Sequence, residues 1–179
     1  MSEKDFQRLT TRAGDDGESS LYSGGRRPKD DPAFECLGDL DELGSVLGVC
    51  RSRLAAAPAG RVEPLPLDLA DIQTTLQELG AAAAGLPGRG PSDLDIERLE
   101  SAEKALLARV DLGRSFALPG GSPEGACLDW ARAVARRAER RLVALIRAGA
   151  RPELGPAQRW LNRLSDYLFV CARRFDREE

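Results

Sequence analysis

Apolar residues recur at three- and four-residue steps along most of this chain, and clusters of Gly, Pro and polar residues interrupt them. The first periodic run, from Ala33 to about Leu54, places Phe34, Leu37, Leu40, Leu43, Val46, Leu47, Cys50 and Leu54 on one stripe of a helix. Gly38, Gly44 and Gly48 lie inside it, each at a cost of up to about 1 kcal/mol relative to Ala, which predicts close approach by another backbone or a flat ligand. After the loop 55–66, Leu69, Ile72, Leu76, Leu79 and Ala83 predict a second helix that ends before Gly85. Ser92 with Asp95 caps a third, carrying Leu94, Ile96, Leu99, Leu106 and Val110. Ser122 as cap and Pro123 at the first helical position open a fourth, whose packing face is Cys127, Trp130, Val134, Ala138, Leu142 and Leu145. A break over 149–156 precedes the last helix, striped with Ala157, Leu161, Leu164, Leu168, Cys171 and Phe175. On another of its faces Asn162, Ser165, Asp166 and Phe169 are neighbours. Five helices, short connections and no strand pattern predict an all-α, antiparallel five-helix bundle. It forms one domain over 1–179, with residues 1–32 as a flexible arm and 33–178 as the bundle.

Composition changes this picture mainly by exclusion. The chain has 179 residues, enough for one domain to bury roughly 70% of its unfolded surface. Phe, Trp and Tyr make up only 5%, which leaves the core to Leu, Val and Ala. There is no histidine, so the usual general base near neutral pH, histidine-containing triads and the commonest zinc ligand are all ruled out. No resident metal site is expected. The net charge of -3 disfavours nucleic acid and anionic membranes as partners. No segment reaches the roughly 20 apolar residues of a membrane span, and the N-terminus has no signal-peptide core. The four cysteines form no CxxC pair and sit at apolar helical positions, which reads as buried, reduced thiols and a cytoplasmic location.

Charge clusters in one place. Arg132, Arg136, Arg137, Arg140 and Arg141 lie within ten residues of the fourth helix, with Glu139 as the one acid among them. At helical spacing their repulsion calls for an anionic partner. A solvated surface helix with scattered ion pairs is the alternative. Residues 1–32 have no helical period and combine Gly14, Gly17, Gly24 and Gly25 with Arg12, Ser19, Ser20, Arg26, Arg27 and Lys29. That is the composition of a loop that wraps phosphate with bare backbone N–H groups and basic side chains. It is equally the composition of a disordered arm. No GxxxxGK loop is present. Asp39, Asp41 and Glu42 crowd one turn of the first helix, and at least one of them is expected to meet an arginine of the fourth helix or of another subunit.

Five blocks, TRAGDDGESS, RRPKDDPAFECLGDLDELGSVLG, FALPGGS, ARAVARRAERR and WLNRLSDYLFVCAR, occur in order from Thr10 to Phe175. Together they resemble the motif series of the PduO-type cobalamin adenosyltransferases. The resemblance implies a homotrimer of five-helix bundles with active sites at subunit interfaces. It also implies the reaction, in which the 5'-deoxyadenosyl group of ATP passes to the cobalt of reduced corrinoid, cob(I)alamin, giving adenosylcobalamin and triphosphate. Co(I) is the nucleophile, so the protein positions substrates and stabilises the leaving triphosphate.

Carried onto this chain, the ATP-binding residues fall on Thr11, Arg12, Ala13, Gly14, Ser19, Ser20 and Lys29, on Arg136, Arg137, Ala138, Glu139 and Arg140, and on Asn162. Mg2+ is implied on the triphosphate. Asp41 matches the acid that pairs across the interface with Arg132, Phe116 the aromatic that keeps corrinoid four-coordinate, and Asp166 a residue on the corrinoid side. Arg132, Arg136, Asp41 and Phe116 are the implied catalytic set. A reductase and an adenosylcobalamin-dependent client enzyme are the implied partners. Ala13, Gly44 and Leu37 depart from the usual pattern. Ala13 and Gly44 leave open a non-catalytic carrier or sensor of the same fold, while a bundle docking an acidic protein through its arginine face is a third reading.

Overall fold

The computed structural model describes residues 10–57, 63–113, 117–149 and 151–176. Five α-helices are present among them: α1 (Pro32–Ala55), α2 (Leu69–Ala83), α3 (Asp93–Leu107), α4 (Pro123–Arg147) and α5 (Gly155–Phe175), the last led in by a 3-10 turn over Pro152–Leu154. Each of the first four starts where a short polar side chain can take an orphan backbone donor. Asp31 accepts from Ala33 N at 2.8 Å, Asp68 from Ala70 N at 2.9 Å, and Ser122 Oγ from Gly125 N at 2.9 Å. Ser92 and Asp95 form a reciprocal capping box.

In space the helices follow the order α2, α1, α4, α5, α3. Arg141 reaches Glu35 at one end of the α1–α4 pair, and Arg53 reaches Glu124 at the other, so these helices run antiparallel. Asp129 meets Arg173, and Glu139 meets Asn162, so α4 and α5 are antiparallel too. Consecutive helices thus alternate in direction as expected, but the packed pair α3 and α5 is parallel, with Asp93 beside Arg159 and Glu103 beside Asp166. The core is Leu and Ala with Trp160 and Tyr167 fully enclosed. Tyr167 ties the approach to α2 onto α5: its hydroxyl donates to Leu67 O at 2.8 Å and accepts from Leu67 N at 3.1 Å.

Some expectations need correction. The arm contains a short antiparallel hairpin, β1 (Glu18–Ser20) with β2 (Arg26–Pro28), in the register Ser19 to Arg27. Gly24 and Gly25 turn the chain at φ +84° and +78°, a left-handed conformation that glycine adopts without steric cost. Three-residue strands are too short to give an alternating pattern. Trp130 is 51% exposed rather than packed, because the buried stripe of α4 runs through Leu128, Ala131, Ala135, Ala138, Leu142 and Leu145 and leaves position 130 at its edge. Leu94, 57% exposed, likewise lies off the buried face of α3. Among the described residues a Cβ at Gly38 or Gly44 would meet nothing within 4 Å, and one at Gly48 would meet only the Gln73 side chain. Gly44 and Gly48 line an open groove between α1 and α2 instead of a close helix contact.

All four cysteines are free. Burial pushes Cys36 and Cys171 up to about 12 and raises Cys50 as well, so these thiols stay protonated. Cys127 is half-buried, with its Sγ 2.8 Å from that of Cys50 across the α1–α4 contact.

Candidate functional site

The arginines of α4 divide into two rows, as the 100° turn per residue requires. Arg137 and Arg141 face α1, where Arg137 pairs with Asp39 at 3.1 Å and with Glu42, and Arg141 pairs with Glu35 at 2.8 Å. The acids of α1 thus neutralise this row within the chain. Arg132, Arg136 and Arg140 form the other row. Arg132 gives its Nε to Asp129 at 2.9 Å, and Arg140 gives Nη1 to the backbone oxygen of Arg136 at 3.0 Å. Among the described residues neither Arg136 nor Arg140 has an acidic partner, and both are exposed. Two guanidinium groups one turn apart therefore remain free for an anion.

Glu139 and Asn162 lie beside this row, with Asn162 Nδ2 donating to Glu139 Oε1 at 3.3 Å. Asn162 also accepts from Arg163, which pairs with Asp166 at 3.0 Å. A cavity of about 270 Å³ opens between α3, α4 and α5, and Arg132, Arg136, Asp166, Phe169 and Glu103 line it. Burial, reinforced by the neighbouring Asp166 carboxylate, holds Glu103 above the ordinary glutamate range. The two largest hollows described, one of about 920 Å³ between α2 and α3 and one of about 570 Å³ at the end of α1, hold none of the candidate residues.

The structure thus brings Arg132, Arg136 and Asp166 to one cavity, with Arg140, Glu139 and Asn162 at its side. It places Arg137 and Ala138 elsewhere. Arg137 is committed to α1, and Ala138 is fully buried, so its role is to let the helices approach. Phe116 lies outside the described residues. Sequence reasoning missed Glu103, Arg163 and Asp129. The i,i+3 spacing of Asp129 and Arg132 was a visible signal for one of these, while Glu103 depended on α3 running alongside α5.

The arm residues make a compact unit of their own. Lys29 Nζ donates to Gly14 O at 2.7 Å, and Arg26 Nη1 donates to Ala13 O at 2.9 Å while pairing with Asp16 and Glu18. A Cβ at Gly14 would come within 2.9 Å of Lys29 Nζ. The backbone hydrogen bond from Glu18, with Arg26 alongside, holds the Asp16 carboxyl below its usual range. Arg12, at φ 57°, is the one non-glycine residue with positive φ among those described. Such backbone is uncommon for a long side chain and collects at binding segments. Thr11, Ala13 and Ser20 are exposed, and Ser19 is partly covered. The hairpin docks at the bundle end where α2 stops, through buried Leu21 and a bond from Ser23 N to Ala84 O of 3.2 Å. Among the described residues no bond joins the arm to Arg132, Arg136 or Arg140 of the same chain.

A second open region of about 460 Å³ runs between α1 and α2, lined by Leu37, Asp41, Gly44, Ser45 and Gln73. Gln73 Nε2 donates to Gly44 O at 2.7 Å and braces the floor. Asp41 is exposed and has no partner among the described residues.

Fold and site together define a five-helix bundle that carries, beside a cavity, arginines without acidic partners among the described residues. Comparison with known proteins carries this to a family. The family model for cobalamin adenosyltransferase matches residues 9–175. Corrinoid adenosyltransferase MMAB of Mus musculus is 35% identical over 176 residues, covering 93% of this chain and 71% of the relative. The corrinoid adenosyltransferase of Bacillus subtilis is 38% identical over 169 residues, covering 93% and 85%. A solved structure of a PduO-type ATP:corrinoid adenosyltransferase variant from Lactobacillus reuteri, complexed with cobalamin and ATP, matches with a TM-score of 0.84 at 27% identity. That match covers 95% of this chain and 94% of the other. The chain belongs to the cobalamin adenosyltransferase family.

Proposed function

We propose that this chain is an ATP:corrinoid adenosyltransferase, which moves the 5'-deoxyadenosyl group of ATP onto the cobalt of a reduced corrinoid. The observation that carries the reading is the uncompensated pair Arg136 and Arg140 beside a cavity that also holds Arg132 and Asp166. In the reaction the electron pair of Co(I) forms the bond to C5'. The C5'–O bond breaks and its pair stays on the departing triphosphate. No proton has to be removed, so the demand on the protein is charge stabilisation and alignment, which arginines supply and a chain without histidine can meet.

In this reading Arg136 and Arg140 hold the triphosphate, with Glu139 and Asn162 fixing the nucleotide beside them. Mg2+ arrives on the nucleotide. Thr11, Arg12, Ala13, Gly14, Ser19, Ser20 and Lys29 close over the phosphates from a neighbouring copy, because the arm docks away from the arginine row of its own chain. Arg137 acts from behind, anchoring α4 to α1. Arg132 takes Asp41 of a neighbouring copy, since Asp41 is unpartnered and the terminal nitrogens of Arg132 are unpaired among the described residues. Asp166, and Phe116 by its position in the motif, face the corrinoid. The assembly is a homotrimer, and the free thiols fit a reducing cytoplasm.

The test is direct. Purified protein given ATP, Mg2+ and a corrinoid reduced to Co(I) should form a light-sensitive Co–C product with one triphosphate per turnover. It should sediment at three times the 19.3 kDa of the chain. A trimer that binds ATP and never yields the product would reject the reading.

A further inference from the structure

Behind the arginine row lies a buried chain of charges that the proposed reaction does not itself use. Asp129 and Arg173 are each 3% exposed. The two carboxylate oxygens of Asp129 are divided: Oδ1 accepts from Arg132 Nε at 2.9 Å, and Oδ2 pairs with Arg173 Nη2. Arg173 also pairs with Asp176 at 2.8 Å, and Asp176 Oδ1 accepts from Ser122 N at 2.9 Å, where α4 begins. The Arg173 guanidinium lies 5.3 Å from the centre of the Phe169 ring, a wall of the cavity that Arg132 also lines. Arg173 Nε and Nη1 have no hydrogen-bond partner among the described residues.

A buried ion pair seldom improves stability over a well-packed apolar pair, because desolvation offsets the attraction. This one leaves two nitrogens of Arg173, with three N–H groups between them, unsatisfied among the described residues, which makes a stabilising role poorer still. Its geometric effect is definite. With Nε tied to a carboxylate that is itself held by Arg173, the Arg132 guanidinium is anchored at one nitrogen and its terminal edge is left for another group.

We infer that Asp129 is a positioning residue, acting through Arg132 and held in turn by Arg173 and Asp176. The inference rests on the proposed role of Arg132. It predicts that Asp129→Asn lowers kcat by about 10²-fold, the scale of a misplacement near 1 Å, with little change in KM for ATP.

Three further variants of the full-length protein, assayed for Co–C product formation, decide the matter. Arg132→Ala measures the role of Arg132 itself. Asp129→Asn combined with Arg132→Ala should be no slower than Arg132→Ala alone, because the two changes break one device. Asp129→Asn with Arg173→Met removes the buried charge pair together and should melt near the wild type yet keep the turnover of Asp129→Asn. Multiplying losses in the first double variant, or restored turnover in the second, would overturn the inference while leaving the role of Arg132 intact. Wild-type turnover in Arg132→Ala would refute both.

Discussion

Splitting the α4 arginines into two rows makes a prediction that one pair of variants can test. Arg136 is exposed with no acidic partner among the described residues, so Arg136→Ala should leave stability within about 0.5 kcal/mol of the wild type. Arg137 is bound to Asp39 and Glu42, but it is 40% exposed, so solvent screening limits the loss in Arg137→Ala to roughly 1 kcal/mol. At 2–4 °C per kcal/mol for a chain of this size, that is a Tm drop of about 2–4 °C. The response to nucleotide should be reversed. ATP at a hundred times its dissociation constant stabilises the wild type by about 2.7 kcal/mol. Removing one charge-assisted bond to phosphate costs about 1.5–3 kcal/mol. At the same ATP concentration the stabilisation of Arg136→Ala should fall to between about 0.3 and 1.3 kcal/mol. Arg137→Ala should keep the full ATP shift. Thermal melts with and without MgATP at one protein concentration read both quantities. The reasoning fails if Arg136→Ala keeps the wild-type shift, or if Arg137→Ala abolishes it.

Tyr167→Phe should lower Tm by roughly 2–12 °C, because it strands the partly buried Leu67 N–H and C=O at about 1–3 kcal/mol, yet leave turnover at 25 °C unchanged. A melting curve that superposes on the wild type would contradict this. Glu103 is held above its ordinary value of 4.5 by burial and by Asp166, so the folded protein binds that proton more tightly than the unfolded chain. Its charged form therefore subtracts stability once pH rises through the folded pKa, and the penalty vanishes as pH falls below 4.5. Glu103→Gln should melt above the wild type at pH 7 and with it near pH 4; equal curves at pH 7 would refute the sign.

Much of the bundle was legible because helix signals are local. The caps at Ser92 and Ser122, the proline after Ser122 and the periodic Leu positions all act within a few residues, and the helices start where those signals stand. The arginine cluster was legible as chemistry, but its division into two rows was not. That division depends on which face of α4 meets α1, and so on the pairing of Glu35, Asp39 and Glu42 with residues about a hundred positions away. Trp130 was misplaced for the same reason: periodicity gives a stripe but leaves its centre uncertain by one residue. The hairpin escaped notice because its order comes from Arg26 and Lys29 closing on backbone oxygens near Gly14. Asp129, Arg173 and Asp176 were each visible as charges, and only the fold revealed that they meet inside it.

Among the described helices α3 packs closely on α5 alone, and its opposite side borders the wide hollow toward α2. An element braced on a single neighbour opens at lower free energy than one enclosed on both sides. Amide hydrogens of residues 93–107 should therefore exchange with deuterium before those of α4 and α5. Since Glu103 rides on that helix and lines the cavity shared with Arg132, Arg136 and Asp166, each such excursion would widen that cavity.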